Sequence, residues 1–303
     1  MTRRWPRPSW SSWVLGAASL AAFAGFAWPL LAAAAPDQAQ ASLPFVAIAL
    51  VPALLIAVAL TLDREMYTAQ TVALLGVLTA VGAALRIAST GVGGIEVVFV
   101  LLILAGRAYG ARFGLLLGIM TIALSSVFWG GIGPWTPFQA FACGWVAAGA
   151  GLLPRDRLGS VRASNRLELA MLVGYGILAS YAFGLIMNLW FWPFAVGSGT
   201  GISYLPGAPL GRNLASFGLY SFVTSTAGWD TVRAATSAIG ILLVGPAALA
   251  ALRRAKVGRA AVGHTVVTPR STEPPGGGTR TRRSTARDAA GAPQTAPPPS
   301  ARA

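Results

Sequence analysis

Long apolar stretches constrain this chain more than any other feature. Six of them run near 13–35, 43–62, 69–88, 137–153, 168–192 and 231–252. A helix needs about 20 apolar residues to cross the hydrocarbon core of a bilayer. A further stretch, 95–129, is too long for one crossing and is interrupted at Gly106 and Gly110, so we divide it into helices near 95–108 and 112–129. The sequence therefore predicts an all-α integral membrane protein with eight helices.

The charge of the chain is low and unevenly distributed. Charged residues make up 11% of the sequence, whereas they make up about a quarter of an ordinary soluble domain. Residues 253–303 hold ten basic and two acidic side chains, so this segment carries +8 of the net +14. A basic segment beside a membrane helix is typical of contact with anionic lipid and indicates no nucleic-acid partner. Because it lacks apolar periodicity, we predict that 254–303 is a disordered cytoplasmic tail.

The arginines indicate how the helices are oriented. Loops 36–42, 89–94 and 130–136 contain no Lys or Arg, and 193–228 contains only Arg212. The opposite ends of the helices carry Arg3, Arg4, Arg7, Arg64, Arg107, Arg112, Arg155, Arg157, Arg162 and Arg166. Because short cytoplasmic loops are enriched in basic residues, we predict a multi-pass protein of the cell membrane with both termini in the cytoplasm.

The N-terminal stretch has a second interpretation. Arginines followed by apolar residues and a small-residue run ending at Ala35 are also typical of a cleaved signal peptide. The apolar run 13–35 has 23 residues, which is longer than the 7–15 residues usual in such peptides. We therefore favour an uncleaved helix, with cleavage leaving seven spans as the alternative.

The residue types that catalysis or metal binding needs are scarce. The only lysine, Lys256, follows no Gly-x-x-x-x-Gly run, so the chain has no phosphate-binding loop of that kind. A single cysteine, Cys143, and a single histidine, His264, exclude a disulfide framework and a His/Cys zinc cluster. No pair of carboxylates shares a helix face. We predict no catalytic residue, no metal ligand and no cofactor.

Aromatic and polar residues collect on the predicted outer side. The segment WGGIGPWTPFQAFACG, 129–144, reads as a glycine hairpin followed by a helix with Pro137 in its first turn. The candidate binding residues of this segment are Trp129, Trp135, Phe138 and Gln139, and the outer half of helix 168–192 adds Asn188, Trp190 and Trp192. An interfacial aromatic belt would use the same residue types as a site for a planar small molecule.

Four ionisable residues lie within the outer halves of predicted helices. They are Arg86, Glu96, Asp230 and Arg233. A charge at the bilayer centre costs about 2.5–3.5 kcal/mol on insertion scales, so such residues are often functional. Snorkelling and local ion pairing at helix ends would explain them without a function. The alternative is that they converge on an outward-facing pocket.

Small residues recur at every fourth position of the helix 69–88. Gly76, Ala80, Ala84 and Ala88 would form one face that another helix can approach closely in lipid. The spacing fits packing within this chain as well as docking of a partner protein.

These motifs together resemble a known family. The stretch GIEVVFVLLILAGRAYGARFGLLLGIMTIALSSVFWGGIGPWTPFQAFACGWVAAGAGLLP is similar to the middle of the substrate-specific (S) components of energy-coupling factor transporters. The Gly-Pro-Trp-x-Pro-Phe-Gln run is its most specific part, and LIMNLWFWPF and DTVRA add to the likeness. The resemblance covers roughly 69–253. It implies a six-helix S-component-like core at 63–253. The two extra transmembrane helices that the apolar stretches predict in 1–62, and the basic tail, depart from the usual pattern of the family.

The resemblance also implies a function and partners. S components bind a vitamin-like substrate at the outer face and act with a transmembrane coupling protein and two cytoplasmic ATPases. Gly76, Ala80 and Ala84 match the docking surface for the coupling protein, and loops 89–94, 130–136 and 193–228 match those that close over substrate. The tryptophans suit a large ring system, and the resemblance favours a corrinoid or another heterocyclic vitamin. The alternatives are a structural or assembly membrane protein and an enzyme of lipid-linked substrates.

Overall fold

A computed structural model describes residues 10–31, 69–89, 93–129, 131–154, 161–197 and 199–262 of the chain. All regular secondary structure in these ranges is helical. Four described helices are long and apolar enough to cross a membrane, namely Ala69–Ser89, Ala111–Phe128, Asn165–Ala195 and Leu210–Ala255. The prediction of an all-α, multi-pass membrane protein is therefore confirmed. The predicted helix 43–62 and the tail beyond residue 262 lie outside the described residues.

The described residues form a series of helices. In chain order they are α1 (Trp10–Phe26), α2 (Trp28–Leu31), α3 (Ala69–Ser89), α4 (Val98–Tyr109), α5 (Ala111–Phe128), α6 (Thr136–Leu152), α7 (Val161–Ala195), α8 (Leu210–Ser221) and α9 (Thr231–Val262). A π-helical segment, Phe222–Asp230, joins α8 to α9 without a break. The last helix thus extends beyond the predicted start of the tail at residue 254.

The predicted division of 95–129 is confirmed, and its position has a local cause. Gly110 has a φ of +101° between α4 and α5, a conformation that other residues rarely adopt. The chain therefore ends one helix at Tyr109 and begins the next at Ala111. The prediction that Pro137 lies in the first turn of a helix is confirmed as well, since α6 begins at Thr136.

The segment 193–228, predicted as a loop, is helical from Leu210 onward. Its polar residues face the chain's own backbone. The buried Asn213 accepts a hydrogen bond from the Leu205 amide (3.1 Å) and donates one to the Leu205 carbonyl (3.0 Å). Polar side chains that stabilise a connection from within look, in sequence, like those of a solvent-exposed loop.

Glycines bring the helices of the core close together. α5 packs extensively against α6, and a Cβ on Gly118 would lie 2.5–2.6 Å from backbone atoms of Cys143 and Gly144. A Cβ on Gly106 of α4 would lie even closer to the carbonyl of Ala147. Close backbone approach through small residues is how membrane helices gain packing energy in lipid. These glycines hold α4, α5 and α6 together as the centre of the fold.

The small residues at four-residue spacing on α3 have a different position. Gly76, Ala80, Ala84 and Ala88 are all exposed, and no atom lies within 4 Å of the position a Gly76 Cβ would take. The sequence allowed two interpretations of this face, packing within the chain and docking of a partner protein. Packing within the chain is not observed among the described residues.

Helix α1 belongs to the packed core. Ala22 and Phe26 are buried, and the Phe26 ring lies 4.9 Å from Phe138 and 5.4 Å from Trp145. These are the contacts of a helix that packs within the bundle. Retention of this helix in the mature chain stays a prediction, with cleavage near residue 36 as the alternative.

Candidate functional site

A polar pocket of about 170 Å³ lies at one end of the core helices. It is formed where α3 and α5 end, where α4 and α6 begin, and beside the π-helical segment. Its walls are Arg86, Ser89, Gly94, Ile95, Glu96, Val98, Ile122, Gln139, Cys143 and Trp229. We call it the Arg86 pocket. It brings together residues from five separate elements of the sequence.

The guanidinium of Arg86 is held in a fixed orientation. One terminal nitrogen donates to Oγ of Ser125 on α5 and the other to Oε1 of Gln139 on α6, both at 2.9 Å. Ser125 in turn donates to the Ile122 carbonyl at 3.1 Å. A side chain anchored in this way points into the protein and does not snorkel to the membrane surface.

Glu96 connects the pocket to a buried ion-pair network. Its Oε1 accepts a hydrogen bond from Arg233 at 3.0 Å, and Arg233 binds Asp230 at 2.5 Å. Asp230 is fully buried and also accepts a bond from Ser225 at 2.9 Å. The Arg233 guanidinium lies over the rings of Phe99 and Phe183, 5.6 and 4.9 Å from their centroids. These two cation–π contacts in a low-dielectric site stabilise the buried charge.

Two glycines leave space for this network. A side chain at Gly184 of α7 would collide with the carboxylate of Asp230. Gly94 has a φ of +85°, and a Cβ there would lie 2.7 Å from the backbone oxygen of Trp229. Both positions therefore require glycine, and the second holds the Glu96 turn against the π-helical segment. Such π-helical turns occur often at functional sites.

The sequence-predicted residues divide into two groups. Arg86, Glu96 and Gln139 line the pocket, and Asp230 and Arg233 join it through Glu96. The four charges predicted to converge thus do lie at one end of the bundle. Arg233 bonds to Glu96 and Asp230 and packs on rings of α4 and α7, whereas Arg86 bonds to α5 and α6.

The other predicted residues lie elsewhere. Trp129 and Trp135 are 54% and 46% exposed at the rim. Phe138 and Trp190 stack on each other in the core, with ring centroids 4.5 Å apart. Asn188 donates to Oγ of Ser221 at 2.9 Å. None of these side chains is part of the wall of the Arg86 pocket.

Trp192 belongs to a separate aromatic cluster in the connection after α7. Its indole nitrogen donates to the Ile202 carbonyl at 2.7 Å, and its ring packs on Tyr204 and Phe217. Burial raises the pKa of the Tyr204 phenol, so this cluster stays uncharged. The cluster fixes the connection between α7 and α8.

Sequence reasoning missed three neighbours of the site, Ser125, Cys143 and Trp229. Cys143 lies one helical turn after Gln139, a spacing that places both on one face of α6. This spacing was the only signal available for Cys143. Ser125 and Trp229 come from elements distant in sequence, and only the packing of the helices places them beside Arg86.

The opposite end of the bundle carries a second ion-pair cluster. The buried Arg107 donates to Glu168 at 2.6 Å and to the carbonyls of Leu153 and Pro154 at 2.7 and 3.0 Å. Arg253 also binds Glu168 at 2.6 Å. These bonds join the ends of α4, α6, α7 and α9. Arg107, which the topology rule alone explained, is therefore also a structural crosslink.

Within the described residues, no group of three or more His, Cys, Asp or Glu side chains could hold a metal ion. No family model, curated protein or solved structure matches the chain. The features of the chain that indicate a function are therefore the Arg86 pocket and the surfaces around it.

Proposed function

We propose that this chain is the substrate-binding membrane subunit of an importer of the energy-coupling factor type. The observation that carries the proposal is the convergence of Arg86, Glu96 and Gln139, from three separate elements, on one pocket. On the topology that the arginines predict, this pocket faces outward. We propose that it captures a vitamin-like solute there and that partner ATPases drive its transport.

Arg86 and Arg233 lie inside the bundle, and this position supports a solute-binding role in preference to a role in an interfacial belt. A charge at a helix end that serves only to anchor the helix extends to the water–lipid boundary. Arg86 is instead bonded to two neighbouring helices, and Arg233 is 6% exposed. Buried ionisable groups in membrane proteins mark solute pathways and binding sites more often than anchors.

The arrangement of helices supports the same proposal. The helices α3, α4, α5, α6 and α7, followed by the continuous α8–α9 unit, provide six helical segments after residue 69, the number that the family resemblance implies. The face of Gly76, Ala80 and Ala84 is exposed and smooth enough for a helix of a coupling protein to dock.

An enzyme acting on a lipid-linked substrate is a weaker alternative. Its candidate carboxylates, Glu96 and Asp230, are both paired with Arg233. A general base needs a carboxylate that reaches the substrate, and Asp230 is fully buried. A structural or assembly protein would need neither the pocket nor ATPase partners, and purification distinguishes that alternative.

We expect the full chain, tagged and purified from its native membranes in mild detergent, to carry a transmembrane coupling protein and two ATPase subunits in stoichiometric amounts. Mass spectrometry of the purified complex and its ATPase activity measure this. Purification of the chain with non-ATPase membrane proteins alone would favour an assembly role and contradict the proposal.

A further inference from the structure

We propose that the Arg86 pocket selects a compound with one ring that carries both a carboxylate and a cationic nitrogen. This inference rests on the proposed function, because it names the substrate class of the same site. Three properties of the pocket carry it: its volume, the sign of the charges on its walls and the nature of its remaining lining.

The volume limits the ligand to about one ring. The cavity measures about 170 Å³, and an apolar cavity of about 150 Å³ holds benzene. A corrinoid is many times larger, so it does not fit unless the helices separate. Of the substrates that the family resemblance favours, the pocket therefore fits a small heterocycle and not a corrinoid.

One wall of the pocket is suited to a carboxylate. The guanidinium of Arg86 is oriented by the neutral oxygens of Ser125 and Gln139, and it lines the cavity. A guanidinium is planar and positively charged, and its N–H groups all donate. A planar fork of this kind matches the geometry of a carboxylate.

Another wall is suited to a cation. Glu96 lines the cavity with 30% of its side chain exposed, and only its Oε1 binds Arg233. Its Oε2 makes no hydrogen bond within the described part of the chain, so this oxygen can accept one from a ligand. Glu96, Asp230 and Arg233 together carry one net negative charge, which Arg86 balances. A ligand with both charges keeps the whole site neutral, and this matters because net charge in a membrane interior is costly.

The remaining lining suits a ring. Ile95, Val98 and Ile122 contribute apolar surface, and Trp229 contributes an indole. Aromatic and aliphatic walls around a few fixed polar groups are the usual composition of small-molecule sites. A ring would lie against these side chains while its two substituents reach Arg86 and Glu96.

A matched series of probes tests this selectivity on the full chain in detergent. The probes are the ortho, meta and para isomers of (aminomethyl)benzoate, which carry both charges, together with benzoate and benzylamine, which carry one each. Isothermal titration or ligand-observed NMR measures their affinities. We expect one isomer to bind at least about tenfold more tightly than benzoate or benzylamine, the effect of one charge-assisted hydrogen bond.

Two variants test whether the preference for probes with both charges depends on Arg86 and on Glu96. Glu96→Gln should remove the advantage over benzoate, and Arg86→Gln the advantage over benzylamine. Arg212→Gln, at an exposed arginine of α8, should change neither, and thermal melting checks that each variant is folded. Equal affinity for the three charge types, or binding by none of the isomers at millimolar concentration, overturns the inference. Because the purification of ATPase partners is independent of these probes, failure here leaves the proposed function standing.

Discussion

Replacing Arg233 with methionine is expected to lower the free energy of unfolding by about 3–5 kcal/mol, the usual cost of removing one partner of a buried ion pair. The cause is Asp230, which is fully buried and would keep a carboxylate without its cation. Methionine is unbranched and apolar and can pack against the rings of Phe99 and Phe183, so the variant removes the charge with a limited loss of packing. Reversible unfolding in mixed micelles measures the difference.

The double variant separates charge from packing. Asp230→Asn together with Arg233→Met should recover most of the stability, because the one carboxylate left without Arg233 is Glu96, whose side chain is 30% exposed. Arg212→Met, at an exposed position, should change stability little. A double variant as unstable as Arg233→Met alone would show that the buried carboxylate is not the cause.

Replacing Ala84 with tryptophan is expected to abolish energised uptake while leaving ligand affinity unchanged. Ala84 is exposed on the small-residue face of α3, and a bulky ring there prevents close approach of a partner helix. The Arg86 pocket lies on the other side of this helix. Uptake in cells, and affinity measured on the purified chain, give the two halves of this prediction.

The control for Ala84→Trp is Leu178→Trp, at a leucine of α7 that is 67% exposed and lies outside the small-residue face. This variant should take up substrate normally. Equal loss of uptake in both variants would indicate a general effect of the added ring. Loss of ligand binding in a folded Ala84→Trp protein would assign this face to the chain's own packing.

Local backbone chemistry made several helix boundaries predictable. The break at Gly110 and the start of α6 near Pro137 depend on residues whose conformational preferences are independent of the rest of the fold. The connection to α8 was not predictable in this way. Asn213 looks like a loop residue, but its side chain is bonded to the Leu205 backbone inside the protein.

The residues of the site were predictable from sequence where placing that residue type inside a membrane helix costs free energy. A charge inside a predicted membrane helix is costly, so Arg86, Glu96, Asp230 and Arg233 were candidates from sequence alone. Aromatic residues carry no such cost at the rim, in the core or in the pocket wall, so residue type alone does not indicate their position. Trp135 is at the rim, Trp190 is in the core and Trp229 lines the pocket, and nothing in their spacing distinguishes them.

Cys143 provides the most direct measurement of whether the Arg86 pocket binds the solute. It is the only cysteine of the chain, it is buried, and it lines the pocket, so a thiol reagent must enter the pocket to reach it. The rate of its modification by methyl methanethiosulfonate can be measured by mass spectrometry, with each member of a panel of water-soluble vitamins present in turn.

We predict that at least one vitamin of this panel slows the modification of Cys143 severalfold in the full chain, and that Arg86→Gln abolishes this protection. A modification rate unchanged by every member of the panel, or protection that persists in Arg86→Gln, would contradict the assignment of the Arg86 pocket as the binding site.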